Sequence, residues 1–305
     1  MVVELPYSLH TRYKSIAIAW TVIIIPPIFL NLGLFYGLWY GRPQMDRIAV
    51  LTIPTAVLGV FTIIAIIERI WKLIQPSPEF RPLKSPRYGL DIFQWGYFAA
   101  LILISSLISS TLLRDDNDHD GHQFQIRLLS LPAPVLMYFL ATLTALSLVL
   151  NFLCVKLPFR FGSMDAGTVV RPAIYYIVED VVAVDGNGGV EYREAFGARY
   201  ESSPMFQRMI RTLSAVWCLA FYAIAAWFTV LVFTLPVVAV YAVGWAGPFP
   251  LAGLLAVWTI YYVKSALGAE RKLEGDGTSR RSNEADGGRV GRNEDERTPL
   301  LSNGA

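Results

Sequence analysis

The most chemically suggestive part of the sequence is an acidic run between two apolar stretches. Asp116, Asp118 and Asp120 alternate, and Gly121 follows them. Calcium loops begin in this way, because alternate carboxylates converge on one ion and the glycine permits a sharp turn. The twelfth position of such a loop supplies a bidentate glutamate, and Arg127 stands there instead. Asp116, Asp118 and Asp120 are therefore candidate calcium ligands, and without the glutamate a site there would be weak.

Two histidines in the same run leave other interpretations open. His119 and His122 could turn the site into one for a transition metal. A solvated acidic turn without any metal is the interpretation that we favour. We predict no other cofactor, because His10, His119 and His122 are the chain's histidines and all lie outside its apolar stretches. That placement excludes a haem held by two histidines within the membrane.

A second set of carboxylates lies between residues 156 and 212. Seven acidic and seven basic residues balance in this segment, which is typical of a solvated helix face with ion pairs rather than of a catalytic site. The chain also lacks the G-x-S-x-G, H-E-x-x-H and P-loop motifs. We assign no catalytic residue and predict that the protein is not an enzyme. The carboxylates considered are Glu179, Asp180, Asp185, Glu191 and Glu194.

Small polar residues recur within the apolar stretch 92–113. Serines four residues apart allow two helices to approach closely and to hydrogen-bond across the contact. We therefore expect helix packing at this stretch. The alternative is a polar path for a solute, which Asn31 and Asn151 would help to line. The small residues are Ser105, Ser106, Ser109, Ser110 and Thr111.

These groups belong to a chain that must cross a membrane. About 20 apolar residues in a helix span the hydrocarbon core, and five stretches contain no Asp, Glu, Lys, Arg or His. The last is too long for one crossing, and the Gly and Pro residues at 244–250 divide it into spans over roughly 213–235 and 246–264. The alternative is a kink at Pro236 within a longer fifth helix that reaches Val243. We predict an all-α, polytopic transmembrane bundle of about six spans. The five stretches are 15–40, 48–67, 92–113, 128–155 and 212–263.

Charge predicts the orientation of these spans. Lys and Arg are concentrated in 68–91, in 156–211 and after residue 263, whereas the intervening connections carry few of them. The positive-inside rule then makes the N- and C-termini cytosolic. The predicted organisation is a cytosolic N-terminus at 1–14, four spans within 15–155, a cytosolic segment at 156–212, two spans within 213–264 and a disordered cytosolic tail at 265–305.

The cytosolic segment contains a helical pattern over 171–184. Its apolar residues are spaced as on one face of a helix, with Glu179 and Asp180 off that face. Ser203 followed by Pro204 is a typical helix start. We predict two amphipathic helices lying on the membrane surface, with a β-hairpin turning at 185–189 as the alternative. The apolar face comprises Ile174, Ile177, Val178, Val181 and Val182.

The same segment carries a resemblance to a family. The string KLPFRFGSMDAGTVVRPAIYYIVEDVVAVDGNGG, with YREAFGARYESSPMFQRMI after it, resembles an uncharacterised family of filamentous-fungal polytopic membrane proteins. The resemblance covers roughly residues 150–265. It implies a fungal membrane origin, and it implies no activity, substrate or cofactor.

The C-terminal tail contains a sorting pattern. Glu296, Leu300 and Leu301 match the acidic dileucine motif [DE]-x-x-x-L-[LI], which clathrin adaptors recognise in an extended cytosolic peptide. A chance match in a charged tail is the alternative. In a fungus, such a signal predicts the vacuolar or late-endosomal membrane, with the plasma membrane as the other location.

Composition limits the remaining possibilities. Hydrophobic residues make up 54% of the chain and the net charge is +2, which gives no support for nucleic-acid binding. Two cysteines cannot build a disulfide framework. We predict a non-enzymatic, multi-pass protein of fungal endomembranes that acts by packing with lipids or other membrane proteins. A transporter or channel for a neutral or hydrophobic solute is the alternative.

Overall fold

The computed structural model describes residues 29–45, 47–113 and 119–295, and these residues form helices without any β-strand. A 3₁₀ turn at Pro78–Phe80 and a π-helical turn at Val181–Asp185 complete the regular structure. The chain is therefore all-α over its described part, as predicted. The α-helices are α1 (Asn31–Gly41), α2 (Arg47–Ile74), α3 (Ile92–Leu112), α4 (His119–Leu129), α5 (Pro132–Phe152), α6 (Ala173–Asp180), α7 (Gly189–Ser202), α8 (Pro204–Thr234), α9 (Val237–Ala246) and α10 (Pro248–Asp295).

Five helical segments of the described residues are long and apolar enough to cross a membrane. The prediction of a polytopic helical bundle is confirmed. Most of the first predicted span, 15–40, lies outside the described residues, and its described end forms α1. The candidate spans are Ala49–Ile74, Ile92–Leu112, Pro132–Phe152, Pro204–Thr234 and Val237–Lys272.

Proline sets several helix boundaries. α5, α8 and α10 each begin with a proline, whose missing N–H costs nothing at a helix start. The Ser203 hydroxyl caps α8 as predicted, since it accepts a hydrogen bond from the Phe206 N–H at 3.1 Å. The long stretch 212–263 divides at Pro236 and again at Gly247, so α9 and α10 follow α8, and Val237–Lys272 is the candidate span after it.

Helix α4 occupies a region that the sequence predicted to be a solvated outside loop. Its Ile126 and Leu129 are buried against Phe35 of α1 and Tyr241 of α9. The indole N–H of Trp245 donates to the Leu129 carbonyl at 2.9 Å. Burial of apolar side chains is favourable, so the apolar residues after the acidic run hold this connection against the spans.

The sequence predicted disorder from residue 265, whereas α10 continues as a helix to Asp295. A helix that is already nucleated gains one hydrogen bond per added residue, so charged residues can extend it. Residues 296–305 lie outside the described part. The chain divides into two compact units, Met1–Val257 and Trp258–Ala305.

The junction of α4 and α5 leaves no room for a side chain at one position of α9. A Cβ atom at Gly244 would overlap the carbonyl oxygen of Ser130. The obstacle is backbone, so it cannot rotate away. We predict that Gly244→Ala lowers the unfolding free energy by about 3 kcal/mol or prevents folding.

The thermal denaturation midpoint of the purified protein in detergent measures this effect. Gly253→Ala in α10 is the control, because nothing lies within 4 Å of its added Cβ. Equal midpoints for the two variants would contradict the predicted contact.

Candidate functional site

Six charged side chains meet where α2 and α3 reach the predicted cytosolic side of the membrane. We call them the buried ion cluster. They come from the end of α2, the start of α3, α6, the π-helical turn and α7, so the cluster joins membrane spans to the segment 156–212. Its members are Arg69, Asp91, Glu179, Asp180, Asp185 and Arg193.

Arg69 is the cation nearest the spans. Its Nη2 lies 2.6 Å from Oδ2 of Asp91, and its Nη1 pairs with the carboxylate of Asp185. The guanidinium also lies over the ring of Phe93, 4.6 Å from the ring centroid. One planar cation therefore ties the end of α2 to the start of α3 and to the π-helical turn.

Arg193 is the second cation, and its side chain is fully buried. Its Nη1 lies 2.5 Å from Oδ1 of Asp180 and 3.2 Å from Oε1 of Glu179. Its Nη2 lies 3.9 Å from Oδ2 of Asp91 and donates to the carbonyl of Phe80 at 3.4 Å. Asp91 thus lies between the two arginines.

Two of the carboxylates also cap α3. Oδ1 of Asp91 accepts the backbone N–H of Gln94 at 2.8 Å, and Oδ2 of Asp180 accepts that of Phe93 at 3.0 Å. Negative charge at a helix N-terminus is favoured, because the first N–H groups have no partner within the helix. The cluster therefore fixes where span α3 begins.

The cluster holds four carboxylates and two guanidinium groups, so negative charge is in excess. Burial and the neighbouring charge of Asp91 raise the pKa of Asp180 to about 7, against the opposing effect of Arg193. Burial also raises the pKa of Asp185, which Arg69 partly offsets. Asp180 can therefore bind a proton near neutral pH.

The structure corrects the predicted solvation of the carboxylates of α6. The helix forms, but Tyr175, Tyr176, Glu179 and Asp180 are its buried residues, whereas the apolar residues of the predicted face are only partly buried. The interpretation of the helical pattern over 171–184 assumed that Glu179 and Asp180 face water. Here Arg193 pairs with both carboxylates, and the rings of Tyr175 and Tyr176 are buried on the same helix.

The structure brings together three of the five carboxylates considered in the sequence. Glu179, Asp180 and Asp185 join the cluster, whereas Glu191 and Glu194 are exposed on α7. The two arginines and Asp91 were missed.

A signal for Arg193 was nevertheless present in the sequence. Arg193, Phe196 and Tyr200 are spaced three and seven residues apart and share the buried face of α7. An arginine on an otherwise aromatic face indicates a buried guanidinium. For Arg69 and Asp91 no such pattern exists, because each lies at the end of an apolar span.

The predicted metal and sorting residues lie largely beyond the described part of the chain. Asp116 and Asp118 are outside it, and Asp120 lies in α4 with its side chain undescribed. Glu296, Leu300 and Leu301 are also outside. Within residues 29–45, 47–113 and 119–295, no three His, Cys, Asp or Glu side chains are placed to hold a metal ion.

The family assignment rests on a match that covers nearly the whole chain. Residues 2–273 match DUF8766, a domain of unknown function. The chain belongs to this family. The match includes the segment 156–212 and the buried ion cluster, so both are parts of the DUF8766 domain. No curated protein and no solved structure matches the chain.

The cluster makes the stability of this DUF8766 domain depend on pH. In the unfolded chain Asp180 titrates near pH 4, and in the fold near 7. Between these values the folded state holds a proton that the unfolded state has lost, so the unfolding free energy falls as pH rises. Asp185 contributes with the same sign.

We predict a denaturation midpoint at least about 3 °C higher at pH 5 than at pH 8, and a smaller difference for Asp180→Asn, which cannot ionise. Thermal denaturation of the purified protein in detergent measures both. Glu191→Gln, an exposed carboxylate of α7, should keep the full difference. A parent midpoint that rises with pH would show that Asp180 is ionised throughout.

Proposed function

We propose that the protein is a non-enzymatic component of fungal endomembranes that acts by packing with lipids and other membrane proteins. The observation that supports this most directly is the outer surface of its spans. Large apolar side chains of α2 are exposed, as expected for contact with lipid or with another helix. They are Val60, Phe61, Ile63, Ile64 and Ile67.

Helix α3 offers a different kind of surface. Ser105, Ser106, Ser109 and Ser110 are all exposed, so the small residues four apart do not pack within the described part of the chain. Serine gains little from lipid tails, but it allows close approach and hydrogen bonding to another helix. We therefore assign the association of this protein with other membrane proteins to this face of α3.

Adding bulk to the α3 face tests this assignment. We predict that Ser105→Leu with Ser109→Leu reduces the size of the assembly extracted from native membranes in polymer nanodiscs, because leucine keeps the helices apart. Analytical size exclusion measures the change. Ala56→Leu, at an exposed position of α2, is the control. A double variant that elutes with the parent would remove the α3 face from the proposal.

The alternative of a transporter is less well supported by the geometry. A solute path lined by Asn31, Asn151 and the α3 serines would need these groups to face one cavity. Oδ1 of Asn31 accepts a hydrogen bond from the Tyr241 hydroxyl at 3.0 Å, and Nδ2 of Asn151 donates to the Val170 carbonyl at 2.6 Å. Metabolite profiles of vesicles with and without the protein distinguish the cases. A solute retained or depleted only with the protein would favour transport, and a converted one would favour an enzyme.

The proposed location depends on the dileucine pattern in the tail. If Glu296, Leu300 and Leu301 bind a clathrin adaptor, the protein is sorted to the vacuolar or late-endosomal membrane. We predict that Leu300→Ala with Leu301→Ala moves a fluorescent fusion to the plasma membrane, because the adaptor loses its apolar contact. Thr298→Ala, inside the motif at an unspecified position, is the control. Identical localisation of the double variant and the parent would end the sorting proposal.

A further inference from the structure

A polar cavity lies where α5 and α8 meet the predicted cytosolic side of the membrane, apart from the buried ion cluster. We call it the boundary cavity; its volume is about 450 Å³, within the range of small-molecule sites. Asn151 and Cys154 line it near the end of α5, and Gln207 and Arg211 line it from the first turns of α8. Arg171, before α6, lines it from the connecting segment. The cavity therefore opens at the depth where two apolar spans end.

Arg171 is fixed in place by its surroundings. It is 7% exposed, and its guanidinium lies between two rings, 4.5 Å from the centroid of Tyr175 and 4.7 Å from that of Tyr200. Its backbone N–H donates to the Tyr176 hydroxyl at 3.0 Å. A cation held in this way loses little freedom when it binds an anion.

The hydrogen bonds of this guanidinium are incomplete. Nη2 of Arg171 lies 2.8 Å from Oε1 of Glu201, a largely exposed carboxylate. Nη1 is buried and has no hydrogen-bond partner among the described residues. Because Glu201 is exposed, its ion pair with Nη2 contributes little stability, so an anion in the cavity can take its place.

The remaining charges of the cavity also favour an anion. Arg211 is exposed at its rim, where its Nη2 donates to Oε1 of Gln207 at 3.4 Å. Gln207 in turn donates to the Tyr200 carbonyl at 2.8 Å, which fixes its amide. With Glu201 as the carboxylate among the lining residues, Arg171 and Arg211 leave the cavity one positive charge in excess. A phosphodiester carries the single negative charge that balances it.

Exposed apolar side chains lie on both of the spans that line the cavity. Phe152 at the end of α5 is 87% exposed, and Leu219 of α8 is 70% exposed. Leu219 lies eight residues beyond Arg211, about 12 Å deeper along the helix. Acyl chains could follow this surface while the headgroup reaches the arginines. A free phosphate ion has no acyl chains and would make no contact with this apolar surface.

We propose that the boundary cavity binds the phosphodiester headgroup of an anionic phospholipid through Arg171 and Arg211. Basic pockets between transmembrane helices on the cytosolic side bind such headgroups in general. The inference rests on the proposed packing with lipids and names the lipid class and the site. It is independent of the α3 face, so the assembly size of the α3 double variant does not depend on it.

Native mass spectrometry of the full-length protein tests the proposal. The protein is delipidated in neutral detergent and titrated with dioleoyl phosphatidylglycerol or with dioleoyl phosphatidylcholine, which has the same acyl chains. We expect the parent to retain phosphatidylglycerol preferentially. Arg211→Gln should weaken that retention about fivefold. Arg208→Gln is the matched control, because Arg208 is exposed one turn away on α8 and does not line the cavity.

Three results would overturn the proposal. Equal retention of the two lipids would show that the headgroup charge is not recognised. An equal loss in Arg208→Gln and Arg211→Gln would indicate nonspecific attraction to the basic side. Displacement of phosphatidylglycerol by inorganic phosphate at the same concentration would show that a free phosphate, and not a lipid, fits the site. Resistance to that phosphate supports the lipid.

Discussion

Two buried guanidinium groups, those of Arg69 and Arg193, hold the membrane spans of this protein to the helices that lie beside them. Asp91 contacts both, at 2.6 Å and 3.9 Å. Desolvating so many charges is unfavourable unless each finds a partner with good geometry. The start of α3, the direction of α6 and the position of α7 therefore depend on one another, since each supplies a group that another would leave unpaired.

This constraint explains why the sequence predicts the spans well and the segment 156–212 less well. Transmembrane helices are recognised from length and apolarity alone, and Ser203 with Pro204 marks a helix start that the structure retains. The face of α6 depends instead on Arg193, thirteen residues beyond Asp180. Periodicity within one helix carries no information about a distant cation, so Asp180 was interpreted as solvated.

The same argument applies to the connection between α3 and α5. Its acidic residues suggested a loop defined by charge, yet Ile126 and Leu129 are what fix its described part against Tyr241 and Trp245. These aromatic residues lie more than a hundred positions further along the chain. Residues that contact each other across so many positions produce no local sequence pattern. Only the apolar character of the residues on both sides of the contact indicates that they are buried.

The arginines of the segment 156–212 differ in their hydrogen-bond partners. This difference distinguishes an arginine that stabilises the fold from one that can bind a ligand. The Nη1 and Nη2 atoms of Arg193 all have carboxylate or carbonyl partners, whereas Nη1 of Arg171 has none in the described part of the chain. The ion pairs of Arg193 lie in a closed cluster that resists change, because any ligand would have to displace an existing buried ion pair. Arg171 is held between two rings, which fill the faces of its guanidinium, and its carboxylate partner Glu201 is exposed and can be replaced. A chain that crosses a membrane many times can thus keep one basic group for its own fold and offer another, at the boundary, to the lipid around it.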